Sequence, residues 1–495
     1  MSSRLLADVR GVLDQAMAAW AGSSVADEVA ALRSRLDEPL RVAIAGKVKA
    51  GKSTLLNALV GEQLAPTDAG ECTRIVTWYV DGIAYRVTLY PIDGGAPRQV
   101  PFTRDEGAIA CQLGATPPEH VERLVIEWPS SSLRAMTLID TPGIASLRET
   151  ISARTHDFLT SSDVHHSPAD AVLYLMRHLH GTDVSFLETF HDQEYSQPTP
   201  INAVAVLSRA DEVGVGRVDA MDSAQRIALR YRSDPKVRRL CQTVVPVAGL
   251  LAQSGGTLRE SEYRAFELLH QSPADEVADL LLSADRFVHG TTTSGLTPIE
   301  REHLLDRFGL FGVRLALSLL ARGEVRNSSE MSDTLVTQSG LSELQGVLRS
   351  QFASRADVLK ARSALLGLQG LLRASPPSGP AGDALASEVE RVVAGAHELA
   401  EIRLLNALRA GAIDLSAEES LHMERVLGAA GSSPAARLGL PESASVDQLQ
   451  EALGAELSTW QRRAENPLSS REVADAARDV VRTLSGLYVD LRPAS

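Results

Sequence analysis

Lysine is rare in this chain and concentrated where chemistry would need it. Lys and Arg together number 49, and only Lys47, Lys49, Lys52, Lys236 and Lys360 are lysine. Three of the five fall within Gly46-Lys47-Val48-Lys49-Ala50-Gly51-Lys52-Ser53, which Thr54 follows. The stretch spells G-x-x-x-x-G-K-S, a loop whose backbone N–H groups wrap a triphosphate while its lysine reaches the β- and γ-phosphates. An arginine fork is too large for that cradle, so Lys52 resists the arginine bias of the chain. Apolar Val42–Ala45 before the loop and the helical pattern of Ser53–Val60 after it supply the strand–loop–helix context the motif requires.

Asp140-Thr141-Pro142-Gly143 follows a second apolar run ending Leu138-Ile139. There an aspartate holds the shell of a Mg²⁺ ion and the Gly143 N–H meets the γ-phosphate, the second half of a phosphate-sensing switch. The expected Mg²⁺ set is Ser53, Thr73 and Asp140. Thr73 is the choice for the threonine that closes over metal and γ-phosphate, with Thr67 as runner-up. Ser208-Arg209-Ala210-Asp211 follows the run ending Val206-Leu207. Its aspartate can accept the guanine N1 and N2 protons together, and adenine offers no such pair, so GTP and GDP are expected rather than adenine nucleotides. Arg209 stands where a lysine stem would lie along the purine face. Ala248 and Gly249 end the next strand, where a backbone N–H would meet guanine O6. The residue after D-T-P-G is Ile144, which cannot orient water as a glutamine does, so water must be positioned by other means; Lys52, Lys49 and Thr73 are the catalytic candidates.

Strands and helices alternate from residue 40, as in an α/β, doubly wound and mostly parallel sheet. Strands are expected at 41–45, 75–80, 85–90, 121–128, 135–139, 171–176, 202–207 and 243–247. Runs such as Ala-Val-Leu-Tyr-Leu-Met at 171–176 are apolar throughout, as strands covered on both faces are. The 75–90 pair alternates and reads as an antiparallel edge. Helical periods occupy 3–20 and 25–36, and again 299–320, 341–373, 384–410, 416–430, 446–465 and 469–491. If continuous, 341–373 would be a rod of about 50 Å. The resulting division is 1–38 N-terminal helices, 39–298 nucleotide domain, 299–355 helical extension and 356–495 helical bundle, the bundle being completed by both chain ends.

Bulk composition narrows the classes. The 495 residues carry a net charge of −14, which argues against electrostatic capture of nucleic acid. No uncharged apolar run is long enough to cross a bilayer, and the N-terminus lacks a secretory pattern, so a cytoplasmic protein with at most peripheral membrane contact is expected. Cys72, Cys111 and Cys241 have no ligand spacing and read as reduced thiols. The histidines between His156 and His191 read as ordinary ones.

The motif set G-K-V-K-A-G-K-S-T-L-L-N-A-L, A-P-T-D-A-G-E-C-T-R, D-T-P-G and S-R-A-D-E resembles that of bacterial dynamin-like GTPases, most of all an isoniazid-inducible branch of them, over the whole chain. The resemblance implies a GTPase head on a helical neck and trunk. It also implies Mg²⁺-dependent GTP hydrolysis, association of heads as a homodimer or with a paired dynamin-like protein, and work at the inner face of the plasma membrane. A link to the envelope-stress response to isoniazid is implied as well. A GTP-gated scaffold that recruits a partner with little hydrolysis is the alternative. The departure is in the stalk. Residues 356–495 hold 14 Arg/Lys against 19 Asp/Glu, a net of 14 − 19 = −5, with no basic or aromatic tip for lipid.

Overall fold

The computed structural model describes residues 2–65, 75–105, 108–114, 116–142, 169–178, 200–214, 216–377 and 379–491. Among these, nine strands form one sheet with β1 (Leu40–Gly46) near its centre. On one side of β1 lie β9 (Ala171–Met176), β10 (Ala203–Ser208) and β11 (Val244–Val247); on the other lies β8 (Met136–Asp140). All five run parallel, so their C-terminal ends meet along one edge, the side where open α/β sheets bind ligands. Every residue of β9 and β10 is buried, which explains their unbroken apolar sequences.

Beyond β8 the sheet turns partly antiparallel, with β2 (Val76–Asp81), β7 (Val121–Trp128), β3 (Arg86–Pro91) and the short β4 (Arg98–Gln99) in that order. The expected antiparallel edge is present, but β2 and β3 do not pair with each other. β7 lies between them, parallel to β2 and antiparallel to β3. A separate hairpin of β5 (Phe102–Asp105) and β6 (Ala108–Cys111) has no counterpart among the expected strands. Ile109 N donates to Leu64 O at 2.9 Å, docking the hairpin beside the segment that follows the phosphate-loop helix.

Helices α1 (Ser2–Ala19) and α2 (Ala26–Arg35) pack on the helix Ala356–Ala374, so both chain ends build the bundle. Trp20 Nε1 donates to Ser375 O at 2.9 Å, and Lys360 Nζ reaches Leu36 O at 2.8 Å and Glu38 O at 3.1 Å. One hydrophobic cluster runs from the sheet face under Leu55 and Leu56 into the bundle at Leu453 and Leu484. A second joins Ala220 to Leu335, so packing does not break at residue 298.

Three expected helices are interrupted. Pro298–Ala321 is broken at Gly309 (φ 62°, ψ 171°), a backbone that glycine alone adopts without strain. The expected 341–373 rod is broken between Leu348 and Arg355, first by a π-helical turn and then by a 3₁₀ turn. Here tertiary bonds outweigh local helix geometry: Gln351 Nε2 donates to Ala429 O at 3.1 Å and Arg355 to Gly428 O. Similarly, extended Ala396 divides the 384–410 period into Pro380–Gly395 and His397–Ala410.

Candidate nucleotide site

The phosphate loop leaves β1 at Gly46, which sits beside Leu175 of β9 with φ +149°. A Cβ there would lie 2.6 Å from Leu175 O, so only glycine lets the loop turn out of the sheet. Gly51, at φ 89°, caps the loop helix α3 (Lys52–Val60). That helix start aims N–H groups and the positive end of its dipole into the loop, a ready anion site. Lys52 is 9% exposed, and its Nζ donates to Gly46 O at 3.2 Å and Lys47 O at 3.3 Å. The ammonium thus occupies the hollow of its own loop. Burial pushes it below the usual lysine range, opposed by Asp140.

Asp140, at the end of β8, accepts from Ser53 Oγ at 3.0 Å through Oδ2. Its Oδ1 is buried with no hydrogen-bond partner among the described residues. Burial pushes this carboxyl upward, against the pull of Lys52 and Ser53. A buried carboxylate oxygen without a partner, next to a serine hydroxyl and the phosphate loop, fits a hard divalent cation with oxygen ligands. Thr141 braces the strand end by donating to Ile44 O from Oγ1 at 2.9 Å.

Across the loop lies an open cleft of about 630 Å³, lined by Gly51, Thr54, Arg209, Asp211 and Gly249, with Leu175, Val206 and Val247 below. This shape suits a flat base between the phosphate loop and the ends of β10 and β11. Burial raises the Asp211 carboxyl above its usual range. Arg209 is left-handed (φ 53°, ψ 43°), and its Nη1 donates to Glu212 Oε1 at 2.6 Å. Lys49 is also left-handed, at φ 62°. Among the described residues these are the two non-glycine positions with positive φ, and both belong to this site. Such backbones cost on the order of 1–3 kcal/mol and persist where surrounding structure demands them.

The structure thus gathers Gly46, Lys47, Ala50, Gly51, Lys52, Ser53, Thr54, Asp140, Arg209, Asp211 and Gly249 at one sheet edge. Val48 and Lys49 lie exposed on the loop crest. Ala248 differs from expectation: its N–H donates to Ser339 O at 2.9 Å, because the Ser339–Gly340 turn packs against the end of β11. Gly249 is the one of the pair that lines the cleft. Thr73, Thr67, Gly143 and Ile144 lie outside the described residues, as do Cys72 and five of the six clustered histidines.

Sequence reasoning gave no role to Glu212 or Asn57. Asn57 is buried and accepts from the backbone N–H groups of Leu64 and Ala65 at 2.9 and 2.7 Å, while its Nδ2 donates to Ala65 O at 2.9 Å. Its position five residues after Lys52 was the available signal. Nothing in periodicity distinguishes a buried amide from a surface one.

Comparison with known proteins agrees with this geometry. The family described as 50S ribosome-binding GTPase matches residues 41–206. The isoniazid-induced protein IniC of Mycobacterium tuberculosis is 38% identical over 489 residues, covering 97% of this chain and 98% of that protein. A bacterial dynamin-like protein of Nostoc punctiforme is 33% identical over 114 residues, 21% of this chain and 16% of its own. Among solved structures, a chain of an oligomerised bacterial dynamin pair aligns over 94% of this chain and 87% of its own, with a TM-score of 0.30 at 11% identity. With the IniC alignment spanning both proteins almost end to end, the chain belongs to the IniC family of bacterial dynamin-like GTPases and is a GTP-hydrolysing enzyme.

Proposed function

We propose that the chain is a Mg²⁺-dependent GTPase whose turnover accompanies association of its heads and rearrangement of its stalk. The observation that carries the metal requirement is the unpartnered, buried Oδ1 of Asp140 beside Ser53. Ser53 and Asp140, completed by Thr73, would hold Mg²⁺, which would supply positive charge to neutralise that developing on the phosphates. Lys52 exchanges its two loop carbonyls for phosphate oxygens when GTP enters, so a buried cation meets anions instead of dipoles. Asp211 accepts the two guanine protons, Arg209 lies along the purine face, and Gly249 supplies the backbone donor to O6.

Lys49 is assigned to transition-state charge. No described residue holds its side chain, it is exposed, and its backbone is held in a left-handed turn at the crest of the loop. A cation there can supply what a water-orienting side chain supplies elsewhere, either within its own site or across a pair of heads.

The name of the Mycobacterium tuberculosis relative, an isoniazid-induced protein, supports a part in the response to isoniazid; a place at the inner face of the plasma membrane and a paired dynamin-like partner complete the proposal. Among the described residues no helix is long and apolar enough to cross a membrane, so contact with lipid would be peripheral. The proposed guanine selection is tested with Asp211→Asn. This variant should lose affinity for GTP and gain it for xanthosine triphosphate, whose oxygen replaces the guanine amino group. Unchanged GTP affinity, measured by nucleotide titration, would remove Asp211 from the site.

A further inference from the structure

A second cavity lies where the nucleotide domain meets the bundle, beside the irregular turns at 348–355. Counting its open mouth, its empty space is about 910 Å³. Two arginines converge on it. A Cβ placed on Gly428 would stand 2.6 Å from Arg355 Nη2 and 3.3 Å from Arg437 Nε, so the two guanidinium groups meet at this one turn.

Their counter-charges are unequal. Glu401 accepts Arg437 Nη1 at 2.9 Å and Nη2 at 3.1 Å and also takes Thr483 Oγ1 at 2.8 Å, so its oxygens are committed. The nearby buried Glu424 is committed as well, to Arg409 and Arg238. Arg355 is 8% exposed and has no carboxylate within ion-pair distance among the described residues; its bond is to the Gly428 carbonyl. Burial first, and then the neighbouring Arg437, hold its guanidinium down to about 10, against the opposing charge of Glu401. Arg437 Nε is itself buried without a hydrogen-bond partner among the described residues. A buried cation without a counter-ion is costly unless an anion joins it, and the space for one is at hand. Glu398 also lines the cavity and is in no ion pair among the described residues. It opposes an anion and sets a limit on affinity.

We infer that the cavity between Arg355 and Arg437 is a binding site for a phosphate-class oxyanion, either free phosphate or a phosphomonoester group. Guanidinium forks match such oxygens in geometry as well as charge. The site lies in the joint between head and bundle, so its occupancy would brace the packing of residues 348–355 on the turn at Gly428–Gly431.

Calorimetric titration of the full chain tests this, with the protein first saturated with a non-hydrolysable GTP analogue to fill the phosphate loop. Inorganic phosphate and glycerol 3-phosphate are titrated separately, to tell a free ion from an ester. The wild type should bind at least one of them, with the heat retained in Lys52→Ala. Arg355→Met should bind about tenfold more weakly or worse, the loss of one charge-assisted hydrogen bond. Glu398→Gln, on a partly exposed side chain, should bind several-fold more tightly, an effect that a merely structural role for the cluster would not give. A wild type that takes up neither anion, heat that vanishes in Lys52→Ala, or equal affinity in Arg355→Met and Glu398→Gln would overturn the assignment.

Discussion

Lys49 and Arg209 hold a backbone conformation that lysine and arginine rarely adopt, and they hold it at two loops of the candidate nucleotide site. Asparagine tolerates the same left-handed backbone more readily, which makes Lys49→Asn a conservative change in geometry that deletes only the charge. If Lys49 supplies transition-state charge, the variant should keep nucleotide affinity within a few-fold while turnover falls; a GAP-supplied arginine contributes about 10³–10⁵ in comparable GTPases. Potassium should partly restore the variant, and wild-type turnover should be indifferent to exchanging K⁺ for Na⁺. Full activity of Lys49→Asn in Na⁺, read by phosphate release, would remove Lys49 from the chemistry. The site was legible in the sequence where its motifs are contiguous, because a phosphate loop is built from neighbouring backbone groups. It was not legible where a distant carbonyl intervenes. Ser339 takes the Ala248 N–H from 91 residues away (339 − 248), and no local pattern announces it.

At the scale of elements, the strands with both faces covered were readable because burial leaves a continuous apolar run, as in β9 and β10. The strands β4 to β6 were not. They are two to four residues long, too short for alternation to stand out from chance. The interrupted helices failed for a different reason: buried polar anchors, rather than apolar period, decide the backbone at 348–355 and beside Gly428. The same anchors join head to bundle. Arg238, from the helix Pro235–Leu240 that precedes β11, and Arg409, from His397–Ala410, share Glu424, whose side chain is 4% exposed. Glu424→Ala leaves Arg409 buried without its partner and should destabilise the chain by about 3–5 kcal/mol in denaturant unfolding. Acid should act on the neighbouring Glu401. Hydrogen bonding from His397 and the charge of Arg437 outweigh its burial and hold its carboxyl down to about 2, against the usual 4.5. A depressed carboxylate contributes stability that is present above pH 4.5 and lost as pH falls toward 2. Glu401→Gln should lose that part of the acid dependence, seen as a flatter unfolding midpoint between those pH values.

Over the whole molecule, the hydrophobic cluster that begins under the phosphate-loop helix continues into the bundle, so the proposed nucleotide-driven movement of the head would have a packed path to the stalk. The bundle itself carries little to hold a bilayer. Its net charge of −5 over residues 356–495 and its lack of a basic cluster contrast with polybasic segments, which gain about 1 kcal/mol per well-placed Lys or Arg. The full chain should therefore sediment only weakly with anionic vesicles, and strong, salt-sensitive sedimentation would contradict that reading. The central claim is that paired heads hydrolyse GTP. It is tested most directly by phosphate release from GTP and Mg²⁺ over a range of protein concentrations. Turnover per molecule that rises with concentration, and that Lys52→Ala abolishes, is the predicted result; a flat and negligible rate at every concentration would contradict the account.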